Sequence, residues 1–148
     1  LTIELTETLL VDDPMIVRHR LEKLRSTGVA ISVDDFGSGF TSVAHLRVLP
    51  ISEVKIDRSL VAELDTAPAE HSVAGAVIAL ARSLGLEVVA EGVETPSQAA
   101  ALRALGCRQA QGFLFSPPVT ATQIDEWLAQ PRPFAHLLGD TTISSVDA

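Results

Sequence analysis

The chain has 148 residues, of which 47% are hydrophobic, and its net charge is −8. This length is enough for one ordinary domain with a sizeable core. The acidic balance argues against duplex DNA as a partner, because DNA binding rests on many contacts between basic side chains and phosphates. A single cysteine, Cys107, allows no internal disulfide and indicates a reducing, cytoplasmic compartment. The longest apolar helical stretch, 73–81, is far shorter than the roughly 20 residues that span a bilayer.

The first half of the chain alternates strand and helix patterns. Leu1 begins what reads as a strand already under way, which is typical of a fragment of a longer protein. Asp13 and Pro14 fit the N-cap and first position of a helix that Gly28 closes. The following elements are predicted as a strand over 29–34, a short helix over 42–49 and a strand over 53–57.

The second half continues the alternation. Thr95, Pro96 and Gln98 form a capping signature for one helix, and Thr120 with Gln123 starts another. The predicted elements are a loop over 58–68, a helix over 69–84, a strand over 87–90, a helix over 95–105, a strand over 109–115, a helix over 120–130 and a loose tail over 131–148.

Strands and helices that alternate in this way predict an α/β fold with a mostly parallel sheet and right-handed crossovers. Polar side chains recur at or near the C-terminal end of each predicted strand. In a barrel of parallel strands these ends meet on one face, where such enzymes keep their chemistry. The residues are Glu4, Asp34, Asp35, Lys55, Asp57, Glu91 and Gln111.

The pair Asp34 and Asp35 has two interpretations. Asp35 can cap the next turn while Asp34 is solvated, or both carboxylates can bind a divalent cation. Because Glu4 and Glu91 are predicted to join them, four carboxylates would repel one another unless cations lay between them. Oxygen ligands favour Mg²⁺ or Mn²⁺, and a two-metal carboxylate site suits displacement at phosphorus.

Lys55 and the histidines complete this interpretation. Lys55 can orient a water molecule, or it can form a salt bridge with Asp57 or with another acid of the site, and these roles are compatible. None of the four histidines lies at the end of a predicted strand, so we expect them on helix surfaces, in loops or in the tail. They are His19, His45, His71 and His136.

Five ordered motifs resemble one known family. They are Glu4-Leu5-Thr6-Glu7, Asp34-Asp35-Phe36-Gly37-Ser38-Gly39-Phe40, Leu49-Pro50 with Lys55-Ile56-Asp57-Arg58-Ser59, Val88-Val89-Ala90-Glu91-Gly92-Val93-Glu94-Thr95, and Gln111-Gly112-Phe113 with Pro117-Pro118. Over residues 1–130 the chain is similar to the C-terminal portion of an EAL domain, the cyclic-di-GMP phosphodiesterase of bacterial second-messenger signalling. The resemblance implies a modified (β/α)₈ TIM-like barrel and hydrolysis of the cyclic dinucleotide to linear pGpG.

The resemblance also implies roles for individual residues. Lys55 would position the attacking water, Gln111 would lie near the metals and the water, and Glu94 would support the site from just outside the ligands. The implied ligands of two Mg²⁺ or Mn²⁺ ions are Glu4, Asp34, Asp35 and Glu91, with Asp34 as the bridge.

A loop is implied beside the metals. Residues 36–42, which include Phe36, Gly37, Ser38 and Gly39, match a loop that shapes the metal site and contributes to homodimer contacts. Glu7 matches the acid that anchors this loop, and Asp57 is placed with it as a residue near the substrate. Ser38 and Phe40 replace a usual Thr and a usual Tyr, and both changes look mild.

One departure from the family is large. The Glu-Ala-Leu signature and the Asn that follows it belong to the N-terminal part of the domain, which this sequence does not contain. Two metal ligands and about three of the eight strands go with it. We therefore expect residues 1–130 to be a partial EAL domain followed by a tail at 131–148. We also expect this chain alone to be almost inactive and to form dimers, swapped assemblies or aggregates through exposed sheet edges.

Alternative functions remain open from the sequence. A degenerate EAL domain can act as a cyclic-di-GMP receptor or as a protein-interaction module. The Asp pair, Lys55 and Glu91 are all retained, which favours the enzyme. Without the resemblance, a metal-dependent lyase or an enolising barrel would also need acids and a lysine at strand ends.

Overall fold

The computed structural model of the chain describes residues 1–6, 14–37, 43–66 and 68–130. Within these ranges five strands alternate with six α-helices. The strands are β1 (Thr2–Thr6), β2 (Ala30–Phe36), β3 (Glu53–Ile56), β4 (Glu87–Ala90) and β5 (Gln109–Ala110). The helices are α1 (Pro14–Arg25), α2 (Val43–Val48), α3 (Arg58–Ala62), α4 (Val73–Ser83), α5 (Pro96–Ala104) and α6 (Ala121–Leu128).

The five strands form one sheet in the order β1-β2-β3-β4-β5. Every neighbouring pair is parallel. Parallel strands that follow one another in chain order, each connected to the next by a helical crossover, have the winding of a (β/α)₈ barrel. The chain therefore forms an arc of a TIM-like barrel, as the sequence predicted.

Alternation along the central strands separates the core from the site. Ile31 and Val33 of β2, with Val54 and Ile56 of β3, are completely buried. They pack with Val61 of α3 and with other residues of one core cluster. Because successive side chains of a strand point to opposite faces, the intervening Ser32, Asp34 and Lys55 lie on the other face. This face contains the polar residues.

The segment after β3 corrects the sequence prediction. Residues 58–68 were expected to be a loop, but the chain forms α3 and then a 3₁₀ turn, Glu63–Asp65. The Asp57 side chain caps α3 by accepting a hydrogen bond from the Ser59 amide at 2.8 Å. Leu60 and Leu64 are then buried on one helical face. The cap and this spacing were a signal that the sequence reasoning missed.

Other boundaries also differ from the prediction. The predicted strand over 29–34 extends to Phe36. The helix predicted over 69–84 is a 3₁₀ turn, Ala69–His71, followed by α4, because Ser72 Oγ accepts a hydrogen bond from the Gly75 amide at 3.0 Å and starts a new helix. The strand predicted over 109–115 ends at Ala110, since the backbone turns where Phe115 donates a hydrogen bond to the Gly112 carbonyl at 3.1 Å.

The predicted capping signature of Thr95 and Gln98 on α5 is confirmed, and α6 starts after Thr120 as predicted, where Thr120 and Gln123 form a second capping box. His19 on α1 and His71 in the 3₁₀ turn are exposed, as expected. None of the described helices has both the length and the apolar character needed to cross a membrane.

Predictions for Glu7, Asp13, Ser38, Gly39, Phe40, His136 and the tail at 131–148 fall outside the described residues, as does the side chain of His45.

Candidate active site

The site is built around Lys55, whose side chain is only 9% exposed. Its Nζ lies 2.5 Å from Glu91 Oε1, 3.0 Å from Glu4 Oε1 and 3.4 Å from Asp34 Oδ1. These acids belong to β1, to β2 and to the segment directly after β4. The parallel sheet thus brings together the side chains that the sequence placed at successive strand ends.

Gln111 joins this cluster from the segment after β5. Its Nε2 donates a hydrogen bond to Glu91 Oε1 at 2.6 Å. The backbone fixes both residues: the Gln111 amide donates to the Ala90 carbonyl at 2.8 Å, and the Val93 amide donates to the Gln111 carbonyl at 3.0 Å. Lys55 and Gln111 therefore bind the same carboxylate oxygen, which restricts how the Glu91 carboxylate can rotate.

An irregularity in β2 brings Asp34 and Asp35 to the same place. In a regular strand two successive side chains point to opposite faces. The register between β2 and β3 shifts between Val33 and Phe36, and Asp35 has a positive φ of 54°. A β-bulge of this kind can re-aim a side chain. As a result, Asp34, Asp35 and Glu91 each offer a carboxylate oxygen within 4.8 Å of the others.

This donor set fits a divalent cation. Three converging carboxylates repel one another, and hard cations such as Mg²⁺ and Mn²⁺ prefer oxygen ligands. Asp34 and Glu91 are half-buried and Asp35 is exposed, so the three oxygens face an accessible space. The Lys55 ammonium already supplies one positive charge beside two of them.

The pKa values reflect this crowding of charge. Burial alone would lower the pKa of Lys55, but hydrogen bonds to Glu91 and Glu4 and the charge of Asp34 raise it above its usual range. Lys55 is therefore a cation at neutral pH. The pKa of Asp35 is raised because its carboxylate loses some hydration, although the residue is exposed overall, and because the charges of Asp34 and Asp57 lie close to it. The charged form of Asp35 is thus destabilised unless positive charge is nearby.

Asp57 has a structural role beside the site. It accepts hydrogen bonds from both the amide and the hydroxyl of Ser59, and the hydroxyl bond is the main cause that lowers the pKa of Asp57. The ion pairs of Lys55 in the described part of the chain are with Glu4, Asp34 and Glu91, so the predicted salt bridge is confirmed with acids of the site other than Asp57.

The remaining predicted residues lie around the cluster. Phe36 belongs to β2 and is buried in the core at 5% exposure, so the prediction that it lies in a loop is wrong. Gly37 follows it with a φ of 97°, and a β-carbon there would come 2.6 Å from Leu60 Cδ1. Glu94 is exposed, and its backbone amide donates to Gln98 Oε1 at 2.8 Å.

A groove of about 1180 Å³ opens next to the cluster. Glu94 and Gln111 line it, together with the exposed Arg58, Arg103 and Arg108. Sequence reasoning missed Arg103 and Arg108 as residues near a site. Their spacing gave no signal, because they lie on α5 and just before β5 and meet only through the fold.

Residues 1–118 match the family model of the EAL domain. The cyclic di-GMP phosphodiesterase NbdA of Pseudomonas aeruginosa is 44% identical over 132 residues, which are 89% of this chain and 17% of NbdA. The chain spans less than a quarter of the length of the curated relatives it matches, with 17% of NbdA and 22% of the P. aeruginosa cyclic di-GMP phosphodiesterase PA2567.

Two solved structures are similar to this chain over most of its length. The PaMucR phosphodiesterase of P. aeruginosa in complex with c-di-GMP has a TM-score of 0.77 and 44% identity, covering 84% of this chain and 50% of that one. The manganese and cy-diGMP complex of Klebsiella pneumoniae BlrP1 has a TM-score of 0.71 and 35% identity, covering 79% of this chain and 30% of that one. From its sequence match and its fold, the chain belongs to the EAL domain family.

Proposed function

We propose that this chain is part of a metal-dependent phosphodiesterase that hydrolyses cyclic-di-GMP to linear pGpG. The observation that supports the proposal most is the convergence of Asp34, Asp35 and Glu91 beside Lys55 at the C-terminal ends of neighbouring strands. The names of similar proteins give independent support, since NbdA is a cyclic di-GMP phosphodiesterase and the PaMucR structure is a phosphodiesterase complex with c-di-GMP.

The residues that would hold the metal are Asp34, Asp35 and Glu91, with Glu4 beside them. Glu4 is a weaker candidate by geometry, because it is not one of the three acids whose oxygens converge within 4.8 Å, although its own carboxylate lies 3.0 Å from Lys55. When bound, two Mg²⁺ or Mn²⁺ ions lower the pKa of a water molecule and stabilise negative charge on the phosphate. The manganese complex of BlrP1 supports the choice of this class of ion.

Lys55 supplies positive charge and a hydrogen-bond donor from the protein itself. Its ammonium contacts three acids, so it reduces their mutual repulsion and fixes their relative positions. In the reaction its Nζ would orient the attacking water by donating a hydrogen bond to it. Gln111 would keep Glu91 in one orientation throughout, because it binds the same oxygen as Lys55. Glu94 would support the site from the adjoining groove.

The groove beside Gln111 gives the substrate a place to bind. A cyclic dinucleotide has two phosphates and two flat bases, and it needs both cationic and apolar surface. The groove offers Arg58 together with Phe113, whose side chain is 69% exposed. Arginine binds phosphate oxygens in a bidentate manner, and an aromatic ring can stack on a base.

Other expectations belong to the same proposal. The loop that follows β2, within residues 37–42 and anchored by Glu7, would shape the metal site and contribute to a homodimer. Residues 1–130 would form the partial domain and 131–148 a tail. The cytoplasm is the compartment that the single cysteine, Cys107, supports.

The receptor alternative is less favoured, since a pure receptor has no need for the Lys55, Asp34 and Glu91 arrangement.

The test uses the longest natural form of the protein that contains this sequence. Incubation with Mn²⁺ and cyclic-di-GMP should produce pGpG, which chromatography detects. A chelator should stop the reaction, and added Mn²⁺ should restart it. If calorimetry shows that the protein binds cyclic-di-GMP while no pGpG forms, the enzyme proposal is wrong and the receptor alternative replaces it.

A further inference from the structure

A hydrogen-bond bridge joins two segments that carry site residues. Gln98 of α5, only 4% exposed, donates from Nε2 to Asp65 Oδ2 at 2.7 Å. Thr95 Oγ1 donates to Asp65 Oδ1 at 3.0 Å. Both oxygens of one carboxylate are therefore bound by residues about 30 positions further along the chain. We call these three residues the Asp65 bridge.

The two ends of the bridge are closely connected to the site. Asp65 ends the 3₁₀ turn that continues α3, and α3 begins directly after Asp57, two residues beyond Lys55. On the other side, Gln98 Oε1 accepts hydrogen bonds from the amides of Glu94 and Thr95 at 2.8 and 3.1 Å. Gln98 thus holds residues 94 and 95, which follow Glu91 by three and four positions.

These contacts close a ring. The chain from 55 to 65 forms one side, and the chain from 91 to 98 forms the other. The ring is closed at one end by Lys55 and Glu91, 2.5 Å apart, and at the other by the Asp65 bridge. Between them, Gly92 packs so tightly on Arg58 that a β-carbon on Gly92 would come 2.5 Å from the Arg58 Cβ. This contact gives a physical route by which a shift at one closure can reach the other.

We propose that Asp65 is a positioning residue for the site, acting through Gln98 to fix Glu91 against Lys55. A capping box alone does not account for the bridge. A glutamate would cap α5 as well as a glutamine, since both accept hydrogen bonds at the N3 position. Only the glutamine also offers the amide group that reaches Asp65. The inference rests on the proposed phosphodiesterase for its kinetic readout, and it also has a readout independent of activity.

Gln98→Glu removes the bridge while it keeps the helix cap. The new carboxylate still accepts from the two backbone amides, but it faces the Asp65 carboxylate and repels it. The double variant Asp65→Asn with Gln98→Glu exchanges donor and acceptor, so that position 65 carries the amide and position 98 the carboxylate. The new amide at position 65 can donate to the new carboxylate at position 98, and its carbonyl oxygen can still accept from Thr95. This exchange keeps both the shapes and the net charge.

The kinetic test uses the longest natural form at saturating Mn²⁺. We expect Gln98→Glu to lower kcat about tenfold with KM within about twofold, because a small misplacement of a reacting group is costly in rate. The double variant should recover kcat to within about twofold of the wild type. The matched control is Gln123→Glu in the capping box of α6, which makes the same chemical change away from Asp65 and should leave kcat unchanged.

Amide hydrogen exchange in the same proteins gives the independent readout. The amide hydrogens of peptides covering 91–95 should exchange about threefold faster in Gln98→Glu than in the wild type. In the double variant they should exchange at the wild-type rate. If Gln98→Glu does not fold, Asp65→Ala replaces it, since this change leaves the α5 cap intact. The inference would be overturned if Gln98→Glu had the wild-type kcat and the wild-type rate of amide exchange over 91–95. It would also be overturned if the double variant recovered neither kcat nor the exchange rate. If the wild type forms no pGpG, the proposed function fails and exchange alone decides on the bridge.

Discussion

Lys55 Nζ and Glu91 Oε1 lie 2.5 Å apart, although Lys55 belongs to β3 and Glu91 to the segment that follows β4. Glu91 follows β4 directly, and its amide donates to the Ile56 carbonyl at 3.1 Å, so the ends of β3 and β4 are held in register. The parallel pairing of Lys55 with Val89 sets the same alignment. The sheet therefore sets the alignment of the two backbones, while the orientation of the Glu91 side chain depends on the contacts that its segment makes.

Lys55→Ala should lower kcat much more than it raises KM. The Nζ contacts the acids and the proposed water position, while the groove that would hold the substrate lies beside it. We expect a loss of about 100-fold in kcat, because misplacing the attacking water is costly in rate, with KM within about threefold. Steady-state kinetics in Mn²⁺ measure both values. A variant with increased KM and normal kcat would show that Lys55 binds substrate only.

Gly112→Ala should destabilise the fold strongly. A β-carbon at this position would overlap the carbonyl oxygen and the nitrogen of Val93, both backbone atoms that cannot move aside. We expect a loss of about 3 kcal/mol or more in the free energy of unfolding, measured by urea titration.

The matched control for Gly112 is Gly85→Ala. Gly85 also has a positive φ of 73°, but nothing lies within 4 Å of a β-carbon there. Only the backbone conformation is then penalised, by about 1 kcal/mol. Equal losses in the two variants would contradict the close approach of residues 112 and 93.

Asp57→Ala should remove the cap of α3 and lower the free energy of unfolding by about 1 kcal/mol at neutral pH. The hydroxyl and amide of Ser59 lower the pKa of Asp57 in the folded state. Its contribution is therefore present above the unfolded pKa of about 3.9 and is lost as the pH falls through the folded value. Urea titrations between pH 7 and pH 3 should show the difference between wild type and variant shrinking at acid pH. A difference that grows at low pH would contradict this assignment.

Much of the fold could be predicted because local signals agree with the tertiary structure. The strand over 87–90, the capping box of α5 and the start of α6 after Thr120 were predicted correctly. The loop predicted over 58–68 was wrong because short helices give weak periodic signals, and tertiary burial of Leu60 and Leu64 decides their structure. β5 was predicted too long because the turn at Gly112 depends on its contact with Val93, which the sequence does not reveal.

The residues of the site were easier to predict than its geometry. Acids at strand ends in a parallel sheet must meet, so the cluster of Glu4, Asp34 and Glu91 around Lys55 followed from the element order. The bulge that brings Asp35 beside Asp34 could not be predicted, because it depends on the register between β2 and β3. The bridge from Asp65 to Gln98 was also missed, since its two residues are 33 positions apart.

The most direct test of the central claim is the rate of Mn²⁺-dependent pGpG formation by Asp34→Asn in the longest natural form of the protein. Asp34 is the proposed shared metal ligand, and it also lies 3.4 Å from Lys55. The amide keeps the size of the side chain but weakens binding of a cation, so the protein should stay folded while hydrolysis of cyclic-di-GMP falls to the limit of detection. Asp125→Asn, which changes an exposed acid on α6, is the control and should keep full activity. Turnover by Asp34→Asn near that of the wild type would remove Asp34 from the metal site and contradict the account of this centre.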